Sequence, residues 1–382
     1  QVFDTPLSGS SVFNPVAGQD TEFRRRLWEM PRATKSDLET YRFAGGFNGF
    51  FELAGRGWDW DVGALLNRNT STKIARGDAS LLSTKQALGP SFINADGVAQ
   101  CGTTANPVGL DACRPWNPLL PYGLAGKGSL ADPELQKFLF PQYTDTGLTR
   151  TTSYTANVSG GLFDLPAGEV GLAVGYEHRK EQGRFVPDAF AQSGNSTSLG
   201  STTTDGAYSI DEMYVELNVP LLADVAFAKE LTVNVAGRYS DYSNFGDTFN
   251  GKFGFTWRPM DGMLVRGTWH AGFRAPTIAD LYGGIRTSFE RYVDPCGVNS
   301  PTGTVNGNAA CNAAGVPLGY VQLGQGLVAC STYPCQTPDQ FLTGSNPNLK
   351  PETSTSRTMG LVWSPEWVQG LDLSLDWFCF PV

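Results

Sequence analysis

The sequence lacks any long hydrophobic run: no stretch approaches the roughly 18 consecutive apolar residues that a membrane-spanning helix requires. Its first residues, QVFDTPLSGSSVF, contain neither the basic nor the apolar region of a signal peptide, so a signal for export would lie outside this sequence. Positive charge is also scarce, with 28 Lys and Arg against 37 Asp and Glu and one short basic run, Arg24 to Arg26. This balance argues against nucleic acid as a partner.

Histidine is nearly absent, which limits the catalytic chemistry available. His178 and His270 are the two histidines, and neither lies beside a serine or cysteine nucleophile motif. The segment GKGSLA (126–131) matches a dinucleotide-binding fingerprint by letter, but a proline-rich stretch precedes it where that motif needs a strand. We therefore expect that the protein is not an enzyme, and the sequence indicates no cofactor and no metal ion.

What the sequence has in abundance is a two-residue periodicity. In EVGLAVGYEHRK (169–180), Val170, Leu172 and Val174 alternate with glycine and alanine, as in a β-strand with one apolar face. Similar segments begin near residues 41, 58, 152, 208, 230, 249, 262, 355 and 371. The sequence therefore predicts an all-β protein of about ten strands, with DPELQKFLF (132–140) as one modest helix candidate.

The connections between these segments differ in length in a regular way. Five are short and rich in Pro, Gly or Asp: 54–57, 164–168, 220–230, 258–262 and 364–370. Between them lie long loops at about 70–147, 181–206 and 274–354, and one tight connection at 243–247. An antiparallel up-and-down sheet places successive connections at opposite ends. Short turns at one end and long loops at the other are typical of bacterial outer-membrane barrels.

Two interpretations of the apolar face remain open from periodicity alone. In a membrane barrel this face contacts lipid, whereas in a soluble β-sandwich or a lipocalin-like barrel it points inward. Aromatic residues near the short turns, such as Trp58, Trp257 and Trp363, suit an interfacial girdle. The opposite face carries Asn, Lys, Arg, Asp and Thr, which suit a watery lumen. These features favour the membrane barrel.

Cysteines occur in the long loops and are absent from the strands between them. Cys101 and Cys113 lie in the first long loop. The last long loop contains four more, which are Cys296, Cys311, Cys330 and Cys335, and the seventh cysteine, Cys379, lies near the end of the sequence. The six loop cysteines predict disulfides in an oxidising compartment, although four cysteines could also form a zinc site. Three connectivities are open for the last four.

Three segments resemble a known family. WHAGFRAPTIADLY (269–282) and NPNLKPETS (346–354) resemble the paired motifs of TonB-dependent outer-membrane receptors, which flank a long extracellular loop. GEVGLAVGYEHRKEQGRFVPD (168–188) is similar to a third segment of that family. The residues that carry the paired motifs are Phe273, Arg274, Ala275, Pro276, Leu281, Tyr282, Asn346, Pro347, Leu349, Pro351 and Glu352.

The resemblance implies a transmembrane β-barrel of roughly 22 strands in the outer membrane of a Gram-negative bacterium. It also implies an N-terminal plug, import of a scarce small-molecule nutrient, and TonB and outer-membrane lipid as partners. The sequence departs from this pattern, since it has no TonB box or plug before residue 40 and no terminal aromatic strand. We therefore expect part of a barrel: residues 1–40 form an extracellular loop and lead into the first strand, and residues 41–382 form an incomplete barrel region.

The nutrient is not identified by these residues. The family resemblance leaves iron–siderophore, cobalamin and saccharide classes open. Arg238, Arg266 and His270 are candidates for lining the lumen, where they would contact either water or a plug. A passive porin and a secreted β-sandwich binding module are the alternative functions, and neither accounts for all three motif segments.

Overall fold

A computed structural model describes residues 5–300, 309–324, 328–337 and 340–380. The elements in chain order are β1 (Ala33–Leu53), β2 (Arg56–Arg76), α1 (Leu81–Ala87), β3 (Ser91–Ile93), β4 (Ala99–Cys101), α2 (Pro133–Leu139), β5 (Tyr143–Leu165), β6 (Gly168–Val186), α3 (Ala189–Gln192), β7 (Thr204–Val225), β8 (Ala228–Tyr242), β9 (Gly246–Arg258), β10 (Met263–Arg274), α4 (Ile278–Tyr282), β11 (Arg286–Ser288), β12 (Arg291–Tyr292), α5 (Ala309–Ala313), β13 (Leu323–Gly324), β14 (Val328–Ala329), β15 (Cys335–Gln336), β16 (Phe341–Thr343), β17 (Glu352–Trp363) and β18 (Leu373–Cys379). Among these described helices, none is long and apolar enough to cross a membrane.

Ten of the strands form one antiparallel sheet in the order β1-β2-β5-β6-β7-β8-β9-β10-β17-β18. Every neighbour in this order is the next long strand along the chain, so the predicted up-and-down topology is confirmed. Within the described residues, β1 and β18 each pair with one strand of this sheet. The remaining short strands form two-stranded ribbons in the loops.

Several strands are longer than the sequence pattern indicates. β2 continues to Arg76 and β5 begins at Tyr143, so the first long loop is 77–142 rather than 70–147. Asn69 pairs with Thr149 in this extension, where both faces are polar and the alternation that marks a strand has already ended. The other long loops are 187–203 and 275–351. Hydrogen bonding therefore continues beyond the apolar stripe.

The connection predicted at 220–230 is mostly strand. β7 extends to Val225 and β8 begins at Ala228, and the register between them shifts between Pro220 and Leu222. Proline has no N–H to donate to a ladder, so it occurs in sheets at bulges and edges. The Pro-Leu-Leu sequence indicates a turn by composition, but it lies in a β-bulge within a paired strand.

Strand register divides the sheet into two continuous faces. One row of register partners runs Phe47, Val62, Ala156, Tyr176, Met213, Tyr239 and Phe249. The neighbouring row on the other side runs Asp61, Asn157, Gly175, Tyr214, Arg238 and Asn250. We call these sides the apolar face and the polar face. Large side chains of the apolar face are exposed, as Phe47 shows with a relative accessibility of 77%.

A separate hydrophobic core lies at the long-loop end of the sheet. Residues 5–31 pack with the loop 77–142, and we call this unit the cap. Backbone hydrogen bonds join Ser8 N–H to the Leu88 carbonyl at 2.9 Å and Trp116 N–H to the Ala87 carbonyl at 2.9 Å. Its buried core consists of Leu7, Ala79, Ala87, Leu88, Trp116, Leu130, Leu135, Leu139 and Phe140. The helix candidate at 132–140 is α2, capped by Asp132, and it contributes Leu135 and Leu139 to this core.

Candidate functional site

The two sequence motifs on either side of the loop 275–351 meet in the structure. Arg274 ends β10, Glu352 begins β17, and the two residues are register partners. The Arg274 guanidinium donates two hydrogen bonds to the Glu352 carboxylate, from Nε to Oε2 at 2.9 Å and from Nη2 to Oε1 at 2.6 Å. Such a two-point contact fixes the relative orientation of both groups. The pair holds the two ends of the loop side by side.

A proline and a capping box turn the chain from β10 into α4. Strand pairing stops before Pro276, which has no backbone N–H. Thr277 Oγ1 accepts a hydrogen bond from the Asp280 N–H at 3.2 Å, and the Asp280 carboxylate accepts one from the Thr277 N–H at 2.9 Å. Hydrogen bonds from the Thr277 backbone and hydroxyl hold the pKa of Asp280 below its ordinary value. The loop itself therefore supplies the groups that begin α4.

α4 lies against the polar face of β6 and β7 over two glycines. Gly183 and Gly206 are register partners on these strands, and we call them the glycine socket. A Cβ atom added to Gly206 would lie 2.1 Å from Cδ2 of Tyr282, and one added to Gly183 would lie 3.2 Å from Cγ2 of Ile278. Leu281 between these contacts is buried. A side chain at Gly206 would displace the Tyr282 ring.

The second motif binds α4 and starts the returning strand. The Asn346 N–H donates to the Asp280 carbonyl at 2.9 Å. Asn346 also organises a turn, because its Oδ1 accepts from the Asn348 N–H at 3.0 Å and its carbonyl accepts from the Leu349 N–H at 3.2 Å. β17 follows shortly at Glu352. The paired motifs thus form one contact network around α4.

The loops 187–203 and 275–351 are joined beside the glycine socket. Thr202 N–H donates to the Ile285 carbonyl at 3.0 Å, and Thr287 N–H donates to the Gly200 carbonyl at 3.0 Å. The Gly200 N–H donates a hydrogen bond to Thr287 Oγ1 at 2.7 Å. These bonds and the packing of α4 hold the first part of the loop 275–351 against the ends of β6 and β7. A part of this loop is therefore folded over the polar face.

An aromatic cluster lies at the same end of the sheet. The Tyr242 ring stacks on Phe245 at 4.4 Å between centroids and meets Phe273 edge to face at 5.9 Å. Tyr208 lies on its other side at 6.1 Å. Tyr242 is buried, so the cluster closes the gap between β8 and the end of β10. The motif residue Phe273 thereby anchors the strand end.

Charged side chains on the polar face pair with one another along the sheet. Glu212 is buried and accepts hydrogen bonds from Ser240 Oγ at 2.5 Å and from Arg238 Nη1 at 3.2 Å. Glu216 accepts from Asn234 Nδ2 at 2.7 Å and from Lys252 Nζ at 3.3 Å. These contacts pair Glu212 with Arg238 and Glu216 with Lys252. A face with such groups can contact water and polar surfaces.

The three candidate lumen residues all lie on the polar face, but on two strands and in different contacts. The Arg238 guanidinium pairs with Glu212 and lies 5.4 Å from the Tyr214 ring centroid. Arg266 pairs with Asp376 across β17, with Nη2 and Oδ1 at 3.0 Å. His270 on β10 is the register partner of Lys252 and of Ser356. The structure does not bring the three together into one cluster.

The six loop cysteines are joined in three pairs. Cys101 pairs with Cys113 in the cap, with Cα atoms 6.0 Å apart. In the loop 275–351 the pairs are Cys296–Cys311 and Cys330–Cys335, with Cα separations of 5.7 and 6.0 Å. These separations suit disulfide geometry. Of the three connectivities that the sequence leaves open, this one joins neighbours along the chain.

The glycine socket is the part of this site that sequence reasoning missed. Gly183 lies just inside a segment that the pattern predicts to be loop, and Gly206 lies at the end of the same segment. Taken separately, each glycine is typical of a loop. Their shared face becomes visible when β6 and β7 are aligned in register, with Gly183 opposite Gly206. The two glycines could have been found by continuing the predicted strands beyond their alternating apolar residues and aligning them.

The chain was compared with curated proteins, solved structures and protein-family models. No curated protein sequence is significantly similar to the chain. Among solved structures, the ferric enterobactin receptor PfeA of Pseudomonas aeruginosa, in complex with BCV-L6, is 11% identical with a TM-score of 0.40, and the match covers 93% of this chain and 44% of that one. The siderophore receptor PirA of Pseudomonas aeruginosa is 14% identical with a TM-score of 0.35, over 89% and 45%. The RagAB peptide importer is 10% identical with a TM-score of 0.43, over 95% and 32%.

This chain spans less than half the length of each of these three proteins. The model of the family "TonB dependent receptor-like, beta-barrel" matches residues 4–378, which is nearly the whole chain. The matched region includes both motifs, the glycine socket and all but the last residue of the ten-stranded sheet. The chain therefore belongs to the TonB-dependent receptor β-barrel family.

Proposed function

We propose that this chain forms barrel wall and outer rim of a receptor that binds a scarce nutrient at the surface of a Gram-negative bacterium and imports it with energy from TonB. The observation that carries the proposal is the pairing of a continuous, exposed apolar face with a continuous polar face on one ten-stranded sheet. An exposed apolar face of this size suits lipid, and the polar face suits a watery or plugged lumen. Family membership supports the same function.

The asymmetry of the two sheet ends supports a receptor. At one end the strands are joined by short turns, such as Ala54 and Gly55 between β1 and β2. At the other end, the cap and the loops 187–203 and 275–351 build a folded surface with its own core and disulfides. Folded loops at the outer end provide a surface that can discriminate ligands. We assign no nutrient class, so iron–siderophore, cobalamin and saccharide ligands all stay candidates.

TonB-dependent uptake by the complete receptor tests the proposal. The full-length gene would be deleted in its host, and uptake of labelled ferric siderophores, cobalamin and oligosaccharides would be measured in the wild type and the deletion strain. We expect uptake of one of these nutrient classes to be lost when the receptor is deleted. The same uptake should be lost when TonB is deleted. Uptake that depends on the receptor but not on TonB would indicate a passive porin. A protein recovered in the soluble fraction would contradict the barrel.

Labelling on intact cells tests the topology independently. In the full-length receptor, Asp111→Cys and Asn195→Cys lie in the cap and in the loop 187–203, so we expect a membrane-impermeant thiol reagent to reach them. Asp164→Cys, Asp261→Cys and Glu366→Cys lie at the short-turn end and should react when the outer membrane is opened. Asn306, in the long loop that the sequence predicts at about 274–354, would be a further outer position but lies outside the described residues. The reverse pattern would invert the topology.

A further inference from the structure

Three basic side chains lie on the apolar face of the sheet, nearer to the long-loop end than its hydrophobic residues. Strand register places Arg68 on β2 directly opposite Arg150 on β5, on the same face as Leu66 and Tyr154. Lys180 on β6 lies opposite Thr152, one step diagonally from Arg150. Arg68, Arg150 and Lys180 are all exposed. We call these three residues the cationic row.

The side chains of the cationic row are not ion-paired within the described part of the sheet. Two cross-strand pairs lie elsewhere on this face: Arg184 with Asp205 at 3.4 Å, and His178 with Asp211 at 2.8 Å. None of the ion pairs between described residues includes a member of the cationic row. Two carboxylates lie diagonal to the row by register. Glu39 on β1 is diagonal to Arg68, and Asp211 on β7 is diagonal to Lys180 but is already bonded to His178.

Placing two arginines directly opposite each other is unfavourable. Such cross-strand partners have Cβ atoms about 5 Å apart, and like charges at this separation destabilise a sheet. An anion between the two guanidinium groups would remove the repulsion and accept hydrogen bonds from both. The arrangement is therefore suited to a group with several anionic oxygens, such as a phosphate.

The height of the cationic row matches a membrane interface. Tyr41 is the register partner of Arg68, and Tyr154 and Tyr176 lie just below the row on β5 and β6. Tyrosine is enriched where the hydrocarbon of a bilayer meets its headgroups. Below the tyrosines, the face continues with Val62, Val158 and Val174 towards the short-turn end. Phosphates of outer-leaflet lipid would lie at the level of the row.

We propose that the cationic row binds the phosphate-bearing headgroup of an outer-leaflet lipid. The proposal rests on the membrane location given under the proposed function, and it adds a specific lipid contact to it. The three side chains come from consecutive strands of the sheet, β2, β5 and β6, so the sheet holds them at fixed spacing. Bound lipid would neutralise the Arg68 and Arg150 repulsion and cover this part of the rim.

Lipid retention by the purified full-length receptor tests the proposal. The receptor would be assembled in nanodiscs of phosphatidylcholine containing a small fraction of lipid A, which carries phosphate groups on a sugar headgroup, and bound lipid A would be measured by native mass spectrometry. The double variant Arg68→Gln and Arg150→Gln should bind lipid A about thirtyfold more weakly, given the attraction of each cation to an anionic surface. Equal binding by wild type and variant would overturn the proposal.

A matched control comes from the opposite face at the same height. Arg42 is adjacent in sequence to Tyr41, the partner of Arg68, but it lies on the polar face opposite Asn67. Arg42→Gln removes one positive charge without touching the cationic row, and we expect it to bind lipid A as the wild type does. An equal loss in Arg42→Gln would show that net charge alone matters, which contradicts a specific site.

Charge reversal separates lost binding from lost folding. Arg150→Glu creates an attractive cross-strand pair with Arg68, so the sheet should be at least as stable to urea as the wild type while lipid A binding falls. Unchanged lipid A binding in this variant would contradict the proposal. Competition by inorganic phosphate as effective as by lipid A would show a general anion site and overturn the lipid assignment. Failure of the receptor to insert into nanodiscs at all would instead overturn the proposed function, and the lipid contact with it.

Discussion

Hydrophobic side chains occupy opposite environments in the cap and in the ten-stranded sheet. Leu7 and Trp116 in the cap have relative accessibilities of 0% and 1%, whereas Phe47 and Phe249 on the sheet have 77% and 69%. In the cap, apolar groups leave water by packing on one another. On the sheet they cover one face with no protein layer over it in the described part of the chain. Apolar side chains are therefore buried in one region of the chain and exposed in the other.

The difference also explains why the sheet has a regular sequence pattern and the cap has none. In the sheet, a two-residue alternation arises because one face carries exposed apolar side chains and the other carries polar groups. In the cap, the core forms from residues spread over 5–31 and 77–142 with no regular period. Predictions that separate these two regions follow, from the largest expected effect to the smallest.

Removal of the largest buried side chain of the cap should disrupt the cap and leave the sheet intact. Trp116 is packed edge to face with Phe23 at 5.6 Å between ring centroids, so Trp116→Ala leaves a large cavity. We expect a loss of about 3–5 kcal/mol in cap stability. In the full-length receptor, limited proteolysis should then cut within residues 77–142. Phe47→Ala, on the apolar face, is the control and should not alter cap cleavage; equal resistance of Trp116→Ala and wild type would contradict a packed cap.

A charge on the apolar face should be costly where the same charge on the polar face is tolerated. Val174→Arg places a guanidinium near the middle of the apolar stripe of β6, which should cost about 2–4 kcal/mol in a bilayer. Ala173→Arg, one residue away, faces Glu216 across the polar side and should cost less. The free energy of unfolding of each full-length variant in lipid, measured by urea titration, checks this. Equal costs would show that the apolar face does not meet lipid.

Filling the glycine socket should release α4 without unfolding the sheet. Gly206→Val puts a branched side chain into the space of the Tyr282 ring, and overpacking of this kind costs about 1–3 kcal/mol. Hydrogen exchange of residues 277–285 in the full-length receptor should become faster, while β6 and β7 keep their protection. Gly171→Ala is the matched control, since its added Cβ would lie 3.8 Å from Asn218 Cβ and disturbs little. Unchanged exchange in Gly206→Val would refute docking of α4 at the socket.

Loss of the motif ion pair should have the smallest effect. Arg274 and Glu352 are largely exposed, so water and salt screen their attraction. Arg274→Gln should speed hydrogen exchange at the start of β17 at low ionic strength, and the difference from wild type should shrink in high salt. Arg258→Gln, which loses an exposed pair with Glu230 at the short-turn end, is the control and should leave β17 unchanged. A difference that persists in high salt would indicate a role other than charge.

Much of the sheet could be predicted from sequence because successive side chains of a strand point to opposite faces, so a short segment shows the pattern by itself. The stripe Val170, Leu172 and Val174 identifies β6 and the face that it presents, and no distant residue is needed for that inference. The predicted all-β, up-and-down architecture is confirmed on the same basis. Strand ends were less predictable, because above the stripe both faces meet polar surroundings and the period disappears, as at Asn69 and Thr149.

The candidate site depended on pairing that no local pattern encodes. The motif residues Arg274 and Glu352 could be selected from sequence, but not the two-point ion pair between them. Gly183 and Gly206 acquire their role from a ladder between two strands and from a helix that arrives from a third part of the chain. The disulfide partners in the loop 275–351 were likewise open until the chain was folded.

The sequence by itself determined the fold class, the two faces of the sheet and the family, because each follows from local periodicity or from contiguous motifs. The tertiary structure decided the cap core, the docking of α4 in the glycine socket, and the meeting of Arg68 with Arg150 across β2 and β5. Those features depend on strand register and on contacts between distant segments. A shift of one residue in register would send Arg150 to the opposite face, so the cationic row exists because of register and not because of composition.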